Sequence, residues 1–219
     1  MPVYDGIEYE LIRRKRKTIG FSIRQGRLIV SASPWVSVRE IERCIAEKRH
    51  WILNHLNNPK PRTKPTYQQG CDIYFLGNKY RLRYELKRSK MIVFNGDEIY
   101  MSGSSLNVIQ KMWMEHLRDA LIRVIDGIRE SDLNNRFEAV KYEYRTFRSK
   151  WGCCYKQKRL IAFSIYTAGL PLEGIRYIYY HEHAHLVYAD HSKNFYGFLE
   201  RICPDYRNGL KITKRFIIE

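Results

Sequence analysis

The chain opens in short runs of alternating apolar and polar positions, the period of a half-buried strand; one stretch of helical spacing interrupts them within about the first hundred residues, and a long one follows. Residues 7–33 read as antiparallel strands: Ile19-Gly20-Phe21-Ser22-Ile23 alternates, Gln25-Gly26 turns, and Leu28-Ile29-Val30 returns. Ser37 followed by Glu40 has the form of a capping box. Val38, Ile41, Ile45, Ile52 and Leu56 then recur at helical spacing up to Asn57-Asn58. Pro59-Lys60-Pro61-Arg62-Thr63-Lys64-Pro65-Thr66 is basic and proline-rich, the composition of an extended, exposed connector. Two hairpins follow. Ile73–Leu76 turns at Gly77-Asn78 into Tyr80–Tyr84, and Met91–Phe94 turns at Asn95-Gly96 into Ile99-Tyr100. Ser105 opens a long helix with a stripe of Leu106, Ile109, Trp113, Leu117, Leu121 and Ile125.

Beyond it, strands are expected over 141–149 and 160–166, joined through Trp151-Gly152-Cys153-Cys154 and a basic turn near Lys156–Lys158. Pro171 fits the first turn of the next helix. That helix ends near Tyr188-Ala189-Asp190. Ser192 caps another, with Phe195, Phe198, Leu199 and Ile202 on one face and Pro204 as its stop. No internal repeat is visible. The fold class is therefore α+β. Residues 1–58 form a β-rich module of antiparallel strands with one helix, 59–66 the connector and 67–219 the hairpins plus core, unless all of it is one continuous domain.

Chemistry concentrates in His181-Glu182-His183-Ala184-His185. On a helix, residues i and i+4 share a face, so His181 and His185 grip one metal ion from the same side. Glu182 projects beside that ion, where a general base belongs. His191, at the start of the second helix, completes a three-histidine set and leaves a fourth zinc position for water. Five of the seven residues before His181 are apolar or aromatic, so this helix is buried. Imidazoles and a carboxylate buried without partners would be costly, and a metal removes that cost. His183 lies two residues from each flanking histidine and points to the other side, as a packed or supporting residue.

Bulk properties narrow the setting. The chain has 219 residues, enough for one well-packed domain with a small extension. It has no apolar run near the about 20 residues a membrane helix needs, and no signal-peptide pattern at Met1–Gly6. The five cysteines form no C-x-x-C pair, which fits reduced thiols in a cytoplasmic protein. Lys plus Arg number 39 against 23 acidic residues, a formal charge of +16, with the densest run at Arg13–Lys17. Such an excess favours polyanions: nucleic acid, nucleotide phosphates or acidic protein surfaces.

From about Arg148 to Tyr206 the sequence resembles the YgjP-like metallopeptidase-type proteins, related to the SprT and WLM groups. The matching residues are Trp151-Gly152-Cys153-Cys154, the strand Leu160–Tyr166, Tyr177–His185, His191-Ser192 with Phe195, and Pro204-Asp205-Tyr206. Earlier, Tyr74-Phe75-Leu76-Gly77-Asn78-Lys79-Tyr80 and the helix ending near Trp51-Ile52 are similar too. The chain departs at His183, where leucine is usual, at Cys153, where serine is usual, and at Asn208-Gly209, which breaks a terminal helix by its composition. The resemblance implies a minimal zincin core and a zinc hydrolase, with metal-bound water activated by Glu182 attacking a peptide carbonyl. It also implies an extended substrate aligned on the strand before the metal helix, Leu160–Ile165. Arg145, Arg148, Lys150 and Tyr155 are the candidate oxyanion donors. Imidazole ligands suit other divalent transition metals as well as Zn2+. Two other functions stay open on sequence alone: a metal-dependent nucleotide phosphoanhydride hydrolase, and a basic nucleic-acid-associated protein with a structural metal.

Overall fold

The computed structural model describes residues 1–24, 26–131, 137, 139–147 and 149–218. The turn residue Gln25 and the candidate donor Arg148 lie outside them. The chain divides into two compact units, Met1–Lys60 and Pro61–Glu219.

In the first unit, strands β1 (Val3–Tyr4), β2 (Ile7–Arg13), β3 (Gly20–Arg24) and β4 (Arg27–Ala32) form a sheet in the order β1-β2-β4-β3. The expected antiparallel set is in fact mixed, because β4 runs parallel to β2 and antiparallel to β3. Its apolar run Leu28-Ile29-Val30 explains the central place: a strand with little polar character is best paired on both sides and covered. Ser37 Oγ accepts from the Glu40 amide at 3.2 Å and starts helix α1 (Val38–Glu47). The single expected helix breaks at Lys48, φ −100° and ψ 9°, before α2 (Arg49–Asn57). Ile41, Ile45 and Ile52 close over Ile7, Tyr9, Leu28 and Val30 as a small core.

The second unit opens on the expected connector, which is pinned and partly buried rather than exposed throughout. Thr63 and Lys64 donate their amides to Ile217 and Ile218, and Thr63 is 1% exposed. Strands β5 (Asp72–Phe75), β6 (Asn78–Leu86), β7 (Met91–Asn95) and β8 (Glu98–Gly103) then form a sheet ordered β5-β6-β8-β7, again with its second and fourth strands parallel. The connectivity of the first unit thus recurs where the sequence displays no repeat. What recurs is burial. Leu28 and Val30 on β4 are matched by Ile99 and Met101 on β8, and Tyr9 by Leu82. Helix α3 (Leu106–Ser131) packs Ile109, Trp113, Leu117, Leu121 and Ile125 into the core, the stripe its spacing foretold.

A second sheet holds the site. Its order is β10 (Gly152–Tyr155), β11 (Leu160–Ser164), β9 (Lys141–Arg145), with β11 antiparallel to β10 and parallel to β9. The segment expected as a connection is therefore a strand of its own. A 3-10 turn at Ile165–Gly169 leads to α4 (Leu172–Ala184), followed by α5 (Lys193–Ile202) and α6 (Tyr206–Arg215). The β5–β6 turn anchors this approach. Leu76 and Gly77, both at positive φ, donate their amides to Ala168 and Gly169, and Gly77 lies so close to Pro171 that a Cβ would come within 2.8 Å of it. Asn208-Gly209 does not break α6. Gly209 instead lets α6 approach α4 closely, since a Cβ there would lie 2.3 Å from Tyr177 Cβ and 2.6 Å from the Glu173 carbonyl. Among the described residues no helix is long and apolar enough to cross a membrane.

Candidate metal centre

Helix α4 carries His181 and Glu182 in its last turn, and His185 is its right-handed C-cap, so the i, i+4 relation survives to the helix end. Leu186, Val187 and Tyr188 then fold back through bonds to the His183 and Ala184 carbonyls. Ser192 Oγ accepts from the Phe195 amide at 3.4 Å and fixes the start of α5, which sets His191 just ahead of the cap. The result brings together all three histidines picked out in the sequence. One ligand atom from each of His181, His185 and His191 lies within 4.8 Å of the others. His181 Nε2 and His191 Nε2 are 3.2 Å apart. Two nitrogens on a tetrahedral zinc at about 2.0–2.1 Å each would sit about 3.3 Å apart, so this pair has the spacing that such an ion requires.

The rings are held from behind. His185 Nδ1 lies 3.1 Å from the Tyr188 carbonyl, and only an N–H can satisfy that oxygen, so Nε2 is the bare nitrogen. His181 Nδ1 lies 3.1 Å from the Tyr177 hydroxyl. The Phe195 ring lies 5.2, 4.7 and 4.9 Å from the centroids of His181, His185 and His191, a common apolar floor that restricts all three. Burial, then the neighbouring imidazoles, lowers the His181 pKa to about 3, which keeps the ring neutral and able to donate a lone pair. Burial raises the Tyr177 phenol well above its ordinary value, so it remains a neutral hydrogen-bonding group.

Glu182 is 6% exposed. Burial raises its pKa to about 7, opposed by the Cys154 amide, which donates to the carboxylate, and by the positive charge of Lys150. The carboxylate lies against Gly152, where a Cβ would come 2.7 Å from Glu182 Cγ and 2.8 Å from Oε1. Strand β10 thus cradles the carboxylate with a missing side chain and a backbone N–H. The Ser164 amide donates to the Trp151 carbonyl at 2.8 Å, and antiparallel bonding alternates, so Gly152 and Cys154 turn their amides and carbonyls away from β11. Among the described residues β10 is therefore the edge strand that faces Glu182 with main-chain groups left unpaired by the sheet. Leu160–Ser164, expected to align a substrate, is the middle strand with both rims paired, and cannot do so.

His183 turns away from the three histidines as expected. Its Nδ1 bonds the Tyr179 carbonyl at 2.7 Å, and its Nε2 lies 2.9 Å from the Tyr142 hydroxyl. Of the oxyanion candidates, Arg145 is ion-paired with Glu143 and reaches the Tyr155 hydroxyl, whereas Lys150 acts on Glu182. Cys154 is a free thiol with its pKa raised to about 11 by burial and then by Glu182, a small packed residue rather than a thiolate. Sequence reasoning passed over Tyr177, although its position four residues before His181 on the same helix is the signal that finds it. It also passed over the backbone roles of Gly152 and Cys154, which no local pattern announces.

Ring orientation of this kind contributes to metal affinity. Tyr177→Phe is expected to weaken metal binding about 10-fold, measured by competition with a chromogenic chelator, and to leave the fold intact by circular dichroism. Unchanged affinity would remove Tyr177 from the support of His181.

Three converging imidazoles beside a buried carboxylate in an α+β unit fit the metallopeptidase class of metal-dependent hydrolases. The chain belongs to the YgjP-like family: the model of the YgjP-like metallopeptidase domain matches residues 17–215. A search of curated proteins gave no match.

Proposed function

We propose that the protein is a zinc-dependent peptidase of a reducing cytoplasm, with His181, His185 and His191 as metal ligands and Glu182 as general base. The observation that carries this reading is the buried Glu182 carboxylate, set between three converging imidazoles and the open edge of β10. Zinc, when bound, supplies Lewis acidity to a carbonyl and acidifies a water. Glu182, raised to about 7, has the affinity to take a proton from water and then release it to the departing amine. The Cys154 amide holds the carboxylate in one orientation during both transfers. An extended peptide that adds to β10 at Gly152 and the Cys154 carbonyl, the Cys154 amide staying on Glu182, would present its carbonyl beside Glu182 through main-chain bonds. The positive charge of Lys150 reaches that carboxylate and suits a developing oxyanion. Among the described residues the cluster offers three ligands rather than four, which favours an open, catalytic site over a closed structural one.

The strand edge favours a peptide over a nucleotide, since a peptide backbone pairs with amides and carbonyls alike, whereas phosphates can use only the amides and are repelled by the carbonyls. Zinc-loaded protein is expected to cleave an unfolded protein substrate and to release no phosphate or pyrophosphate from nucleoside triphosphates. The reverse outcome would transfer the same residues to phosphoanhydride hydrolysis.

A further inference from the structure

The first unit carries a surface that the metal centre does not use. Trp35 is 93% exposed, in a chain whose large apolar side chains are mostly buried. It sits on a turn closed by the Val36 amide on the Ser33 carbonyl. Arg13 braces that turn: its Nη1 donates to the Ser33 carbonyl at 2.7 Å and the Val36 carbonyl at 2.6 Å. The Arg14 amide donates to the Ala32 carbonyl at 2.9 Å. Because β2 and β4 are parallel and Arg13 is in register with Ala32, both chains leave the sheet at the same end. The basic run and the indole therefore emerge side by side.

Within the run the cations divide. Arg13 holds the turn, and Arg16 folds over Gly20, where a Cβ would lie 2.5 Å from its guanidinium. Arg14, Lys15 and Lys17 are exposed, and among the described residues none of them forms an ion pair. A firmly braced, bare indole beside three unneutralised cations fits a ligand with flat faces and a chain of negative charge. We infer that this end of the first unit binds single-stranded nucleic acid, with Trp35 stacking on a base and Arg14, Lys15 and Lys17 on the flanking phosphates. A duplex keeps its base faces stacked internally and offers nothing to the indole. A bilayer would need a contiguous apolar face, whereas Trp35 is followed by the cap Ser37 and, on α1, by exposed Val38, Arg39 and Glu40, a mixed surface.

The test uses the full chain, a fluorescein-labelled oligothymidylate, its duplex with oligoadenylate, and phosphatidylserine–phosphatidylcholine vesicles. The single strand is expected to bind with a log–log salt slope of about −2, as three phosphate contacts require. Trp35→Ala should weaken it about 10-fold or more, and Trp35→Phe should restore most of the loss. Replacing Arg14, Lys15 and Lys17 by alanine should flatten the slope. Glu182→Gln should bind like the parent, so the result is independent of the hydrolytic reading. Equal binding by Trp35→Ala, equal affinity for the duplex, or Trp35-dependent capture by vesicles in place of the oligonucleotide would each overturn the proposal.

Discussion

Glu182→Gln is expected to lower hydrolysis about 100- to 10,000-fold while the protein keeps its full complement of metal. Glutamine has the shape of the side chain it replaces. Its amide oxygen can still accept from the Cys154 N–H, and it still fits the hollow at Gly152. What it lacks is basicity. The wild-type carboxylate is 6% exposed and raised to about 7 by burial, so it is poised to accept a proton near neutrality and to give it up again. Parallel measurement of turnover and of bound metal by elemental analysis separates base from ligand. Turnover within a few-fold of wild type would show that the proton goes elsewhere. Gly152→Ala strikes the same group from the opposite side. The new methyl must displace Glu182 Cγ from 2.7 Å, so activity should fall with metal content intact.

The local chemistry of this site was open to reading because helices impose it locally. The four-residue spacing of His181 and His185 places them on one face whatever the rest of the chain does, and Ser192 marks the start of α5 and hence the position of His191. Strand order was not legible in the same way. Leu160–Ser164 is apolar because it is central, and an apolar run says that a strand is covered without saying which neighbour keeps a free edge. The role of Gly152 depends on where β10 meets α4, a tertiary fact with no local signature. Asn208-Gly209 carries the composition of a helix break. The packing of α6 on α4 overrides that propensity, because the missing side chain is what permits contact with Tyr177. The recurring sheet topology escaped notice for a related reason: the two units share burial pattern and connectivity, with different residues filling equivalent positions.

His181→Ala is expected to abolish stable metal binding, lowering affinity by more than about 100-fold, beyond what the loss of an outer hydrogen bond produces. The three rings are nearly equidistant, with centroids 4.9 Å (His181–His185), 5.1 Å (His181–His191) and 4.8 Å (His185–His191) apart, and His181 alone among the three bonds Tyr177. Its removal leaves two imidazoles and an unanswered phenol hydroxyl at the cluster. Because a metal that binds only the folded state stabilises it by mass action, zinc should raise the melting temperature of the wild type and leave that of the variant unchanged. His191→Ala probes the exposed member, whose Nε2 lies 3.2 Å from that of His181. It should also lose both the zinc and the thermal shift, since two ligands from one helix cannot surround an ion. Stoichiometric zinc in His191→Ala would leave His181 and His185 with some other third ligand. The spacing of the two Nε2 atoms would then owe nothing to a shared cation, and Glu182 would stand beside a differently built centre.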